Sequence, residues 1–324
     1  MKKLRPLGQS QLLVSPMGLG CWQFSAGKGL IGGFWEALSQ ERVTSIVQAS
    51  LAGGINWFDT AEAYGNGASE EALSTALKAL GKGPGDVVVA TKWRPFFRRA
   101  PHIKRSIGER LERLGGFPID LHQIHSPLSF SGIRAEMEVM ADLVEEGKIR
   151  TIGVSNFSAR MMRKAHTVLA ARGIPLVSNQ ILYSLLKRKA ESNGVMDAAK
   201  ELGITIIAYS PLGQGILTGR HHEDPELIKT KPGPRKQMPA FKPKGLERTR
   251  PLVEALRSVG EAHGATAGQV ALNWLLTFHG DTVVVIPGAS RPEQMEENLG
   301  ALDFTLDEGE LAHLDELSRP LKRL

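Results

Sequence analysis

A single cysteine, Cys21, stands in 324 residues. One thiol cannot close an intramolecular disulfide, so a disulfide-stapled scaffold is excluded and a reducing compartment is the natural setting. Long apolar runs are missing as well. No stretch approaches the ~18 residues of a membrane span. Pro16 and Gly18 interrupt the basic opening stretch before an apolar segment of signal-peptide length can form. A cytoplasmic protein with no membrane partner is therefore expected. Aromatic residues are few, 6% of the chain. The basic segment from Gly219 to Arg250 contains only Phe241 among them, which argues against a nucleic-acid surface, where basic and aromatic side chains interleave.

That segment nevertheless carries most of the charge. It holds nine Lys or Arg against four acids, while the whole chain nets only +6. A local patch of this kind is either a solvated loop or a seat for one phosphorylated ligand. The remaining composition, 42% apolar and 23% charged, is that of an ordinary globular protein. A chain of this length buries roughly three quarters of its unfolded surface without staples.

Eight short β-branched runs are spread along the chain: 17–22, 56–61, 87–93, 121–125, 151–155, 176–180, 204–210 and 283–287. Several are continuously apolar, as strands covered on both faces must be. Amphipathic stretches lie between them. Val43, Ile46, Val47, Ser50 and Leu51 follow helical spacing, with Ser39 as N-cap and Gly53-Gly54 as the stop. Ile103, Ile107, Leu111 and Leu114 end at Gly115-Gly116, and Val139 and Leu143 end near Gly147. Strands that alternate with helices predict a parallel sheet, and eight of them predict closure into one α/β domain, a (β/α)₈ TIM barrel spanning residues 1–324. Ahead of it, 3–7 and 12–15 flank Gly8-Gln9-Ser10 and predict a β-hairpin. The connection after strand 7, from Pro211 to about Arg250, reads as a long loop, and loops of that length are usually functional or disordered.

Polar residues punctuate the ends of consecutive strands. Asp59 and Lys92 are 33 residues apart, as are Lys92 and His125. One βα unit is about that long, so the three share one level on the rim where barrel enzymes build their sites. Tyr64 follows Asp59 closely enough to fold back over that rim. A lysine on a core strand needs a partner, and Asp59 is one strand away. A Lys ammonium at ~4 Å favours a phenolate by ~4 kcal/mol at an effective dielectric of ~20, about three pKa units. That predicts a Tyr64 pKa lowered toward neutrality, suited to general acid catalysis. His125 can then orient a carbonyl oxygen. A structural Asp–Lys pair beside an unrelated Tyr and His is the alternative at this stage.

The segments GLGCWQ, GINWFDTAEAYGNGASEE, VVVATKW, LHQIHSP, IRTIGVSNFS, NQILYS, IAYSPLGQGILTGR and VIPGASRPEQMEENL, in that order, resemble the aldo-keto reductases along essentially the whole chain. The resemblance implies an NADPH-dependent oxidoreductase that reduces an aldehyde or ketone. Its catalytic tetrad is Asp59, Tyr64, Lys92 and His125, with Tyr64 as proton donor. It implies that Tyr209 stacks on the nicotinamide, that Ser155, Asn156 and Gln180 bind the carboxamide, and that Ser210, Leu212, Gly213, Gln214 and Gly215 cradle the pyrophosphate. Ser290, Arg291, Gln294, Glu297 and Asn298 hold the adenosine end. Gly20, Cys21, Trp22, Asp59, Ile286 and Gly288 complete the cofactor site. Gly288 and Gln294 stand where many relatives carry Lys and Arg for the 2′-phosphate, so NADP(H) is expected with NAD(H) also accommodated. Trp22 and Trp93, with Tyr64 and His125, are expected to wall the substrate pocket, with Phe96 and Phe97 beside them. The basic cluster Arg94, Arg98, Arg99, Lys104 and Arg105 is either solvated or draws an anionic substrate. The partner is a small carbonyl compound, with no nucleic acid, and nothing specifies an oligomer. A reading from another class is a redox-sensing barrel like the β-subunits of potassium channels, which share fold, cofactor and tetrad.

Three patterns invite other chemistry and are set aside. Gly27, Gly29 and Gly32 fit G-x-G-x-x-G, and Tyr183 and Lys187 fit Y-x-x-x-K. The glycine run, however, begins five residues past its strand, and Phe34-Trp35 follows it where the fingerprint needs a helix N-terminus. His122 and His125, three apart on a strand, point to opposite faces and cannot share a metal ion; no metal site is expected. Cys21 has no evident base and reads as a small buried residue.

Overall fold

The computed structural model describes residues 3–29 and 32–323. Leu30 and Ile31, inside the glycine run, lie outside the described residues. Eight parallel strands form one sheet in sequence order: β1 (Leu19–Gly20), β2 (Trp57–Asp59), β3 (Val88–Trp93), β4 (Ile119–Ile124), β5 (Ile149–Ser155), β6 (Leu176–Leu182), β7 (Thr205–Tyr209) and β8 (Val283–Ile286). The ring closes where Met17 and Gly20 bridge Val285 and Gly288, with the Gly18 N–H on the Val285 carbonyl at 2.9 Å. Gly18 is required there, because a Cβ would stand 2.3 Å from the Trp57 ring. All eight predicted strands form. The first is shorter than its pattern, because Trp22–Phe24 turn into a 3₁₀ helix.

Helices cover the outside: α1 (Gln40–Ala52), α2 (Ala68–Ala79), α3 (Pro101–Arg113), α4 (Ile133–Glu145), α5 (Ala159–Ala170), α6 (Val195–Leu202), α7 (Pro243–His263), α8 (Ala267–Thr277), α9 (Pro292–Leu299) and α10 (Glu308–Ser318). The Ser39 hydroxyl caps α1 by accepting from the Arg42 N–H, and Val43, Ile46, Val47 and Ser50 form its buried stripe. The long connection differs from its expectation. Its last eight residues are the first turns of α7, where Pro243 occupies an N-terminal position that needs no N–H. Gly245, Leu246, Thr249, Leu252, Val253 and Leu256 are buried at helical spacing, and that burial prevails over the Pro- and Lys-rich composition.

Two cores result. One lies between sheet and helices. The other fills the barrel with Trp57, Ala90, Leu121, Val177, Ile207, Val284 and Ile286, and the hairpin plugs its lower end with Leu7 and Val14. The predicted hairpin pairs Arg5–Pro6 with Leu13–Val14. At its tip Gly8 has φ +57°, a Cβ would stand 2.4 Å from the Val177 carbonyl oxygen, and its N–H donates to Thr205 Oγ1 at 2.7 Å. The lower end of the barrel is thus apolar and sealed, and polar chemistry is confined to the other end.

Candidate active site

Side chains alternate along each strand, so one face of β2, β3 and β4, and of β6 beyond its irregularity at Val177, points into the barrel. Above the apolar layer that face presents Asp59, Lys92, Gln123 and Gln180. Lys92 is fully buried. Its Nζ donates to Asp59 Oδ1, to the Thr60 carbonyl at 2.8 Å and to the Tyr64 hydroxyl at 3.3 Å. The other Asp59 oxygen accepts from Gln123 Nε2 at 3.0 Å and Gln180 Nε2 at 2.9 Å. The carboxylate is therefore saturated and the ammonium compensated, which a charge pair at this depth requires. The His125 ring meets the Tyr64 ring edge-on, centroids 5.7 Å apart. The Trp22 indole stacks on Tyr64 at 6.1 Å and on Phe34 at 4.8 Å.

The electrostatics depart from expectation at one point. Burial pushes the Tyr64 phenol above its ordinary pKa; Lys92 pulls it down, but Asp59 opposes that pull. The expected downward shift considered the cation alone and left out its counter-ion and the dry surroundings. Burial, followed by the charges of Lys92 and Arg94, lowers the His125 pKa to about 3, so its imidazole is neutral. Burial lowers the Lys92 pKa, but Asp59 and Tyr64 outweigh it and the net shift is upward. Burial also holds the Cys21 thiol well above its usual range, consistent with an inert core residue.

A cleft of ≈1020 Å³ opens from this point across the rim. Trp22, Asp59, Tyr64 and His125 line its inner end, Ser155, Asn156, Gln180 and Tyr209 its floor, and Gly20, Cys21, Ile286 and Gly288 the β1–β8 seam. Ser210, Leu212, Gln214 and Gly215 line one flank, and Ser290, Arg291, Gln294, Glu297 and Asn298 the far end. Two expected residues lie elsewhere. Trp93 follows Lys92 directly on β3 and so faces the helices, where it is 1% exposed and its Nε1 donates to His102 Nδ1 at 3.2 Å. Gly213 turns aside, with its Cβ direction running into Leu186. Of the flanking residues, Phe97 is 84% exposed at φ +57°. Arg98 and Lys104 pair with Glu62 and Glu146 and are not a free anion patch.

The cleft floor is locally ordered. The Tyr209 hydroxyl donates to Asn156 Oδ1 at 3.1 Å, Asn156 Nδ2 donates to Ser155 Oγ at 3.1 Å, and Ser155 Oγ donates to the Gln180 carbonyl at 2.9 Å. Asn156, Ser210 and Gln214 adopt positive φ (61°, 51° and 57°). Such strained residues persist only where the surroundings hold them, and they cluster at ligand sites. Gln214 Oε1 and Trp22 Nε1 are buried without a hydrogen-bond partner. The basic connection also lines the cleft. Its Arg235, 6% exposed, lies 4.1 Å above the Trp35 ring, so residues about 200 positions apart meet in its wall. Sequence reasoning missed this contact, because no local pattern joins two loops. It also missed Gln123, although Gln123 stands two before His125 and shares the inward parity of Leu121.

Among the described residues no helix is long and apolar enough to cross a membrane, and no three His, Cys, Asp or Glu side chains gather as metal ligands. Residues 16–319 match the family model described as the Aldo/keto reductase family. The chain is 36% identical to the aldo-keto reductase str7 of Strobilurus tenacellus, over 97% of this chain and 91% of that one. It is 34% identical to the chloroplastic pyridoxal reductase of Arabidopsis thaliana, over 94% and 83%. Among solved structures it resembles a glycerol dehydrogenase from Gluconobacter oxydans, with a TM-score of 0.83, 27% identity, and 97% and 94% of the two chains covered. A thermostable aldo-keto reductase bound to the inhibitor epalrestat gives a TM-score of 0.78 at 29% identity, over 97% and 99%. With a family model spanning nearly the whole chain, and a barrel rim carrying Asp59, Lys92, Tyr64 and His125 in contact, the chain belongs to the aldo/keto reductase family of oxidoreductases.

Proposed function

We propose that the protein reduces aldehydes or ketones to alcohols with NADPH, and that Tyr64 donates the proton. The observation that carries this reading is the chain of hydrogen bonds from Asp59 through Lys92 to the Tyr64 hydroxyl, 3.3 Å from the ammonium and open to the cleft. A phenol whose pKa lies above its ordinary value is fully protonated at neutral pH and available as an acid. When it gives up its proton, the phenolate forms beside the Lys92 charge, so the stabilisation is felt where charge develops. A neutral His125 serves as an uncharged N–H donor to the carbonyl oxygen and does not compete as an acid.

The cleft residues fit a nicotinamide dinucleotide. Gln214 Oε1 and Trp22 Nε1, buried without a hydrogen-bond partner on residues that line the cleft, support that fit. At Gly288 a Cβ would stand 2.3 Å from the Gln23 amide, so a side chain there would have to displace the Gln23 side-chain end. Tyr209 would stack on the nicotinamide, Ser155, Asn156 and Gln180 would meet its carboxamide, the 210–215 turn would hold the pyrophosphate, and Ser290 to Asn298 the adenosine end. When bound, the cofactor supplies the hydride. Ser290 already hydrogen-bonds Gln294 Oε1 through its N–H at 2.8 Å, and Glu297 pairs with Arg220 at 2.7 Å. Arg291 thus remains the cation best placed for a 2′-phosphate, which favours NADP(H) over NAD(H) without excluding the latter. The cytoplasm is the compartment that fits this chemistry.

The test is NADPH oxidation with a panel of carbonyls: pyridoxal (suggested by the Arabidopsis relative), methylglyoxal and aromatic aldehydes. Turnover of at least one is expected. Tight NADPH binding with no turnover on any of them would favour the redox-sensor reading instead.

A further inference from the structure

Tyr64 lies on the short connection from β2 to α2, and β2 itself does not dictate where the hydroxyl goes. The connection is gripped from the side away from the cleft. Two residues before Tyr64, the Glu62 carboxylate is 7% exposed. Its Oε1 accepts from the Arg94 N–H and, at 2.6 Å, from Arg98 Nη1, while the Glu62 N–H donates to the Lys92 carbonyl at 3.3 Å. Six residues after Tyr64, Glu70 is fully buried and accepts from the Thr91 hydroxyl at 2.6 Å. Between the two carboxylates stands Arg110 of α3, 3% exposed, 3.0 Å from Glu70 and 3.6 Å from Glu62. One guanidinium therefore holds both flanks of the Tyr64 segment. Both carboxylates also reach the stretch Thr91 to Arg94 that carries Lys92.

Burying these charges is costly. Desolvation pushes the Glu70 carboxyl up to about 7 even with Arg110 beside it, and apolar side chains of similar volume pack as well or better. What the charges add is a single register. That register matters here because the contact between Tyr64 and Lys92 is, at 3.3 Å, the longest of the three made by the ammonium. A small slip of the segment loses it.

We propose that Glu62 is a positioning residue: with Arg110 and Glu70 it sets the Tyr64 hydroxyl over Lys92, although it touches neither substrate nor cofactor. This rests on the reading of Tyr64 as proton donor. Two variants test it in the full-length protein. Glu62→Ala removes the clamp, while Glu62→Gln keeps volume and an acceptor oxygen for the Arg94 N–H. Misplacement of a reacting group by about 1 Å costs on the order of 10²-fold, which is the expected fall in kcat for Glu62→Ala on an aromatic aldehyde. Glu62→Gln recovers most of that loss. KM and NADPH affinity by fluorescence titration stay near wild type. In Glu62→Ala the alkaline limb of the kcat–pH profile moves to higher pH, because the phenol has lost its cation; partial unfolding would not move it. Arg98→Met, which removes one partner at the rim, shifts kcat the same way by less. A folded Glu62→Ala with wild-type kcat and an unmoved limb would overturn the proposal. If that variant does not fold, the same two results in Glu62→Leu, which keeps the volume and removes the acceptor oxygens, and in Arg98→Met together overturn it. Tyr64→Phe, measured alongside, separates the two claims. A Phe variant with wild-type kcat removes the donor reading itself, whereas an inactive one beside normal Glu62 variants removes only the positioning role.

Discussion

Lys92 and Arg188 are both buried cations with carboxylate partners, and they do different work. Arg188 is 1% exposed. It meets Glu191 at 2.5 Å, Asp315 at 2.6 Å and Ser318 at 2.7 Å, and its guanidinium lies 4.7 Å from the Trp274 ring. All three of its nitrogens are matched to fixed acceptors, and those on α10 fasten that helix to the barrel. Lys92 spends two donors in the same way, on Asp59 and the Thr60 carbonyl, and aims the third at a phenol that borders a cleft. Burial and a perturbed pKa are common to both residues. The difference is that one hydrogen bond in the Lys92 set ends on a group open to a ligand, and this distinguishes a site from a staple.

The contrast breaks most readily at the catalytic cation. Tyr64→Phe and Lys92→Met should each lower kcat for aldehyde reduction by roughly 10²–10⁴, the usual contribution of a general acid. Lys92→Met also leaves Asp59 buried and unpaired. Adding Asp59→Asn should restore part of the lost stability and none of the activity, read as urea midpoints beside steady-state rates. Arg188→Met should do the reverse. Breaking a buried pair on one side costs about 3–5 kcal/mol of stability, yet kcat measured where the variant is folded should match wild type. A matching fall in kcat would show that the two cations are not separable in function.

Much of this was legible because barrel geometry is periodic. The two 33-residue steps from Asp59 to His125 carry three residues to the same end of consecutive strands, which pair in that order, although the ladder sets Asp59 opposite Ala90 and Lys92 opposite Gln123 and His125 follows the end of β4. Gly147, with φ +67°, closes α4 where the sequence suggested a stop. What was not legible has specific causes. Trp93 was expected in the pocket beside Lys92, yet strand alternation forces neighbours to opposite faces; a strict period of two would have shown it. The start of α7 was masked by Pro243, Lys244 and Arg248, although Leu246, Thr249, Val253 and Leu256 carry a helical stripe. The Tyr64 pKa depended on Asp59 and burial, which act through distance and solvent exclusion and leave no mark in spacing. The Arg235–Trp35 contact and the Arg110 grip on Glu62 join residues that no local pattern connects.

A third cation sharpens the comparison from the exposed side. Arg291 caps the start of α9 without a side-chain cap bond and stands exposed at the far end of the cleft. Under the proposed function it meets a 2′-phosphate in water, so its effect should be smaller than that of either buried cation and sensitive to salt. NADPH should bind more tightly than NADH at low salt, with a gap on the order of tenfold that narrows as ionic strength screens the contact. Arg291→Ala should close the gap by weakening NADPH alone. Fluorescence titration of both cofactors at two salt concentrations checks it, and equal weakening of both would remove Arg291 from the phosphate site.

A last effect, on stability alone, separates two histidines of the β4 segment. Burial, with Arg110 nearby, lowers the His122 pKa to about 3; His125 is lowered to about 3 by burial, Lys92 and Arg94. Unfolded, each returns to ~6.5. Between these values the unfolded chain binds a proton that the folded chain refuses, so stability falls as pH drops below about 6.5. At pH 5 a fully buried imidazole costs about 2 kcal/mol by this linkage, since each pKa unit is ~1.36 kcal/mol. His122 is 1% exposed with Nδ1 unpartnered, so it should approach that figure. His125 borders the cleft, where water can follow the charge, and should fall short of it. His122→Gln keeps an amide donor and removes the titration. The difference between urea-unfolding free energies at pH 7 and pH 5 should therefore shrink by up to about 2 kcal/mol in His122→Gln, and by less in His125→Gln. An unchanged difference in His122→Gln would mean that its imidazole takes up a proton in the folded protein, and that the Arg110 cluster leaves room for one more charge.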